Sequence, residues 1–210
     1  MAAEPTLIVN RGWDDLADAA NFYPPDLPVV WRLTYFANEH GAVLLPWHAW
    51  RDQTPSGLAA WQADVQPGFR FFLACPGAHD VGPVGAGPND GPHAVGRARA
   101  AALATLGPSL GGWIIADPDE NFDAGLTDGN AADAVGLRTF PCVPAATSTP
   151  APTPASAVAV IAPAAAHHPP RAARNWLQSL PRPPRLVILP NPRSGDLTAW
   201  GHLLTLLGWR

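Results

Sequence analysis

The sequence predicts an α/β fold: a TIM-barrel-like (β/α) barrel with one βα unit eroded. Three observations predict it. Short apolar runs recur along the chain, and nearly all are followed by a segment with helical spacing. That alternation implies parallel strands, because parallel neighbours need crossover connections. Seven such strands fit within 210 residues, close to the ~200-residue lower limit of a barrel that usually takes ~250. An open doubly wound parallel sheet is the alternative, and either way residues 1–210 read as a single domain.

Taken in order, Thr6 to Asn10 (TLIVN) is the first strand. Asp26 is placed to cap a helix running to about His40, with Val30, Leu33, Phe36 and Ala37 on one face. Gly41 ends that helix, and Ala42 to Pro46 (AVLLP) follows as a buried strand. Thr54-Pro55 supplies a cap and a first-turn proline for a second helix that buries Leu58, Trp61 and Val65. Pro67-Gly68 turns the chain into the strand Phe69 to Cys75.

A Gly/Pro-rich loop from Pro76 to Gly91 leads to an Ala-rich helix, His93 to Leu106, and a strand, Gly112 to Asp117. Asn130 to Val135 reads as a short helix and Leu137 to Val143 as a strand. Pro144 to Ser156 is low-complexity Pro/Ala/Thr and reads as an extended surface loop. The strand Ala157 to Pro163, a helix through Asn175-Trp176-Leu177, the strand Arg185 to Pro190 and a helix from Leu197 to Leu207 complete the chain.

Composition excludes several functions. All 13 basic residues are Arg. A chain without lysine has no Schiff-base or pyridoxal-phosphate lysine and no P-loop lysine, so the glycine-rich Gly82 to Gly91 is no Walker motif. A net charge of −4 gives no basic field for nucleic acid. Cys75 and Cys142 lack CxxC spacing and read as small buried groups in a reducing compartment. With no basic segment leading into an apolar run and no membrane-length window, a cytoplasmic protein without cofactor is expected.

Gly12-Trp13, Phe22-Tyr23-Pro24-Pro25, Leu33, Tyr35-Phe36-Ala37, Val43, Pro67 to Phe71 and Pro76 form an ordered series. From about Leu7 to Pro76 it resembles the N-terminal third of the YecE-like family, domain of unknown function 72, which is similar to TIM barrels in fold. The stretch ILPNPRSGDLTAWGHLLTLLG resembles that family's last strand and helix, with Asn191 in place of one of its paired asparagines. The resemblance implies V-E-x-N across the second strand, where this chain has Val43, Leu44, Leu45 and Pro46. Its third-strand lysine is Ala74 here, and its T-H pair survives only as His79. Leu, Pro and Ala side chains neither transfer protons nor bind metal, so a non-catalytic member is expected.

In a barrel the working residues come from the C-terminal ends of strands and the loops after them. Those positions hold Asn10 and Arg11, His48 and Arg51, His79 and Asp80, Asp117, His167-His168, and Asn191 with Arg193. Arg11, Arg51 and Arg193 suggest a small anionic ligand held by guanidinium groups, with the helix start at Ser194 adding backbone donors. Trp13, Trp47 and Trp50 fall just beyond the first two strands, where aromatics stack on a ligand or plug the mouth. His48, His79 and Asp117 are the candidates for a metal-assisted hydrolase of phosphoester or glycosidic bonds, although no HxH or HExxH spacing marks a metal site. A protein partner at the mouth is a third expectation.

Overall fold

The structure, a computed structural model, describes residues 5–76, 92–115, 139–143, 158–163 and 170–209. The expected loop up to Gly91, the short helix at 130–135 and the proline-rich stretch at 144–156 lie outside those residues, as do His79, Asp80, Asp117, His167 and His168.

Seven strands and seven helices are described: β1 (Leu7–Asn10), α1 (Ala19–Phe22), α2 (Arg32–Glu39), β2 (Ala42–Leu45), α3 (Trp47–Trp50), α4 (Pro55–Ala63) and β3 (Arg70–Cys75) come first. They are followed by α5 (Pro92–Leu106), β4 (Leu110–Ile115), β5 (Thr139–Val143), β6 (Val158–Ile161), α6 (Pro170–Ser179), β7 (Leu186–Leu189) and α7 (Ser194–Leu206). The helix expected from Asp26 begins only at Arg32, after a 3-10 turn over Val29–Trp31. Pro28 is the reason: a proline disfavours helical backbone at the residue before it, so Leu27 cannot continue a turn begun at Asp26. The second helix starts as its cap requires, with Gly57 N–H donating to Thr54 Oγ1 at 3.1 Å and Pro55 in the first turn.

The strands follow the order β1-β7-β6-β5-β4-β3-β2. Pairing is parallel for β1/β7, β6/β7, β2/β3 and β3/β4. The expectation of parallel strands throughout is corrected at β5, which runs antiparallel to both β4 and β6. In the sequence between β5 and β6, prolines at 144, 150, 152 and 154 disfavour the crossover helix that a parallel pair usually needs. A doubly wound sheet starts from its middle and winds outwards, whereas β1 here stands at one end of the order.

Two apolar clusters divide the side chains by strand parity. Val43, Leu45, Phe71, Leu73, Cys75 and Trp113 pack with helical residues such as Phe36, Leu58, Ala102, Leu177 and Trp200. Ala42, Leu44, Phe72, Ala74 and Ile114 pack on the other face with Val9, Ala159, Leu186 and Ile188, and every member of this second cluster lies on a strand. Among the described residues no helix packs on this second face, as in a sheet that curls over itself. Arg185, just before β7, gives a second sign of curvature: its Nη2 donates to Gly111 O on β4 at 3.0 Å. In a flat sheet those strands would stand three spacings, about 14 Å, apart, beyond the reach of an arginine side chain.

The two ends of the order also meet. Arg11 forms a parallel bridge with Leu44, and Gly12 N–H donates to Leu44 O at 2.8 Å. Beyond that bridge no ladder joins β1 to β2 among the described residues. The architecture is therefore a curved, mixed α/β sheet with helices on its outer face. No described helix is long and apolar enough to cross a membrane.

Candidate functional site

A cleft of about 440 Å³ opens where β1 and β2 end. Its first wall is the run Arg11 to Asp15 after β1, and its second is Leu45 at the end of β2 with Pro46, His48 and Ala49 after it; Gln53 and Trp61 complete it. Gly12 makes the first wall turn. Its φ of 88° is left-handed backbone that glycine adopts without steric cost, and Asn10 Nδ2 donates to its carbonyl at 2.6 Å. Tyr23 O–H donates to Trp13 O and fixes the wall from behind. Trp13 and Trp61 meet at 5.4 Å with their planes 78° apart, and Trp61 is backed by Phe71 in a stacked pair at 6.2 Å.

The charges at the cleft are partnered. Arg11 Nε lies 3.6 Å from Asp15 Oδ2, with the arginine side chain 19% exposed. Arg32 Nη1 donates to Asp14 Oδ1 at 2.9 Å, and its guanidinium also lies 5.1 Å from the centre of the Tyr23 ring. Burial, reinforced by Asp14 and opposed by Arg32, raises the Tyr23 phenol pKa, so this tyrosine stays neutral and is a hydrogen-bond donor.

The expected site residues divide sharply. Arg11, Trp13 and His48 line the cleft, with Pro46 beside them. Trp47 and Trp50, expected to face a ligand or plug the mouth, are 6% and 1% exposed and belong to the packing below it. They meet edge to face at 4.8 Å, and Trp50 also contacts Trp113 at 5.8 Å. Trp50 Nε1–H donates to Ala74 O at 2.7 Å, so an indole packs beside this residue of β3. Leu44 is fully buried in the strand-only cluster.

The three guanidinium groups do not converge. Arg51 lies against Asp52 at 3.2 Å and does not line the cleft. Arg193 stands outside it as well, its backbone N–H donating to Asp196 Oδ2 at 2.9 Å where α7 begins. The donors expected to hold an anion at Ser194 are already used: Ser194 N–H and Oγ–H each donate to Asp18, at 2.8 Å and 2.8 Å. An aspartate of the chain itself sits where the helix start would attract an anion. Asn191 is exposed with φ 44°, a turn conformation that asparagine tolerates, between Pro190 and Pro192.

Comparison with known proteins gives no match: no family model, no curated protein and no solved structure matches the chain.

Chemistry at the described cleft is therefore read from its own groups. Among the described residues no group of three His, Cys, Asp or Glu side chains is arranged to hold a metal ion. The Cys75 thiol is pushed up to about 11 by burial, against a smaller opposing pull from Arg99, so it is no thiolate nucleophile at neutral pH. Asn10 is fully buried, and its Oδ1 has no hydrogen-bond partner among the described residues. His40 lies away from the cleft, stacked on Phe22 at 5.6 Å, and its pKa is lowered to about 4 by burial, with Asp18 pulling it back up.

Sequence reasoning missed Asp14, Asp15, Gln53 and Asp18, and read Trp61 only as a packing residue. Two adjacent aspartates directly after Gly12-Trp13 were the available signal, since they must fall in the loop that leaves the first strand.

Proposed function

We propose that the chain is a divergent, shortened YecE-like barrel that binds a small polar ligand, without catalysing a reaction, in the cleft at the ends of β1 and β2. The barrel reading is supported by the strand-only core, the reach of Arg185 to Gly111, and the meeting of the two ends of the strand order at Arg11 and Leu44. The observation that carries the functional reading is the cleft itself. It has the size of a ligand pocket, and several polar side chains surround an aromatic pair. The non-catalytic reading is supported by Leu44 and Ala74, buried apolar groups where the family resemblance implies an acid and a lysine. The anionic version loses support, because only one of its three arginines lines the cleft.

A thermal-shift screen of the full chain against metabolites tests the reading, paired with phosphoester and glycoside assays in added zinc or manganese. A ligand that raises the midpoint, with no turnover, is the expected result. Metal-dependent turnover that disappears in His48→Ala would replace it with the hydrolase reading. A protein partner is the second reading. It is favoured by the turn Val29–Trp31, whose residues are 66%, 75% and 62% exposed. In that case Trp31→Ser would abolish capture of the partner and leave ligand binding intact.

A further inference from the structure

We infer that the ligand is neutral and polyhydroxylated, of the carbohydrate class, seated against the Trp13–Trp61 pair on the cleft wall. The inference rests on the cleft reading proposed above and adds the ligand's chemistry.

Charge is the first argument. Asp15 is partnered by Arg11 at 3.6 Å and Asp14 by Arg32 at 2.9 Å, so each of these carboxylates already has a cation beside it. A phosphate or carboxylate would have to compete with Asp15 for Arg11, and an ammonium with Arg32 for Asp14. A neutral ligand asks neither pair to break.

The shape of the polar groups is the second argument. The carboxamide of Gln53 at the cleft sets a carbonyl acceptor beside an NH2 donor. Neighbouring hydroxyls on a sugar ring present the matching pattern, because each hydroxyl both donates and accepts. Gln53 is exposed and holds Ala49 O only at a long 3.4 Å, so its carboxamide can turn to a ligand at little cost.

The aromatic pair is the third argument. The Trp13 and Trp61 indoles meet edge to face and give the cleft wall an apolar surface, and Phe71 stacked on Trp61 holds that ring in place. Pyranose rings carry patches of C–H groups that pack on such faces while their hydroxyls stay in contact with polar neighbours. A volume of about 440 Å³ lies within the usual range for ligand pockets.

Saturation-transfer NMR on the full chain tests the inference, with D-glucose, maltose and cellobiose as neutral probes and glucose 6-phosphate, citrate and choline as charged ones. The expected result is transfer to the C–H protons of a neutral sugar, with Kd weakened about tenfold in Trp13→Ala, as the loss of one stacking contact implies. Gln53→Ala changes an exposed side chain, and is expected to fold as the parent and weaken binding about threefold. It keeps the test valid if Trp13→Ala unfolds. Binding of charged probes alone, weakened in these variants, would overturn the neutral-ligand inference and leave the cleft reading standing. Sugar binding unchanged in both variants would overturn the inference by placing the sugar elsewhere. No binding by any probe would overturn the inference as well, while the metabolite screen decides the cleft reading separately.

Discussion

Gly111 has no room for a side chain. A Cβ built there would lie 2.6 Å from one Phe72 ring atom and 2.9 Å from two more. Carbon atoms pack best at about 3.5–4.0 Å, so the overlap is about 1 Å. Phe72 is 1% exposed and sits in the strand-only cluster, so its ring has no solvent to swing into. Overpacking of this kind costs about 1–3 kcal/mol, and the reduced freedom of the unfolded chain returns about 0.4–1 kcal/mol on replacing glycine by alanine. Gly111→Ala should therefore destabilise the protein by about 1–2 kcal/mol. In a chain of this size that lowers the melting midpoint by roughly 2–8 °C. Urea unfolding of Gly111→Ala, Phe72→Leu and the double variant gives the decisive comparison. In the Phe72→Leu background the new methyl has space, so its cost should vanish and leave a coupling of about 1 kcal/mol or more. Equal costs in both backgrounds would refute the contact, and no cost in the parent would refute the crowding of this inner core.

Other expectations follow from the same geometry. Trp50→Phe keeps the apolar ring but removes the N–H that donates to Ala74 O, and should cost about 1–3 kcal/mol in chemical denaturation. Asp18→Ala strips the acceptor from Ser194 N–H and Oγ–H and should cost about 1–2 kcal/mol, with Asp18→Asn recovering part of it. His40 has a folded pKa of about 4 against an ordinary 6.5, so the unfolded chain binds its proton first. Its contribution is fully present above pH 6.5 and is lost as pH falls to 4. The stability difference between the parent and His40→Gln should change by about 3 kcal/mol across that window, and a flat difference would remove the burial argument.

The sequence announced the outer elements of this fold because their local signals agreed. Thr54-Pro55 capped α4 as the residue types demanded, and β1 and β2 were bounded by polar or turn residues. What misled was the direction of β5. Its apolar pattern says strand but carries no polarity of direction, and only the proline content of the following stretch hinted at the reversal. At the cleft, Arg11, Trp13 and His48 were visible from their positions after strands. Arg51 and Arg193 held equivalent sequence positions and still did not join them. A strand end fixes where a residue leaves the sheet, while the single turn of α3 and the start of α7 decide which way it then points. Asp18 shows the same limit: its partner Ser194 lies so far along the chain that no local pattern connects them.

The meeting of β1 and β2 is what places the two walls of the cleft side by side, and NMR on selectively labelled protein reads it directly. With 15N-glycine and 13C-leucine, the Gly12 amide proton should show a nuclear Overhauser contact to the Leu45 α proton, because Gly12 N–H points at the Leu44 carbonyl. A slowly exchanging Gly12 amide with that contact is the predicted result. A freely exchanging amide with no contact to the second strand would contradict it, and would leave the cleft without its second wall.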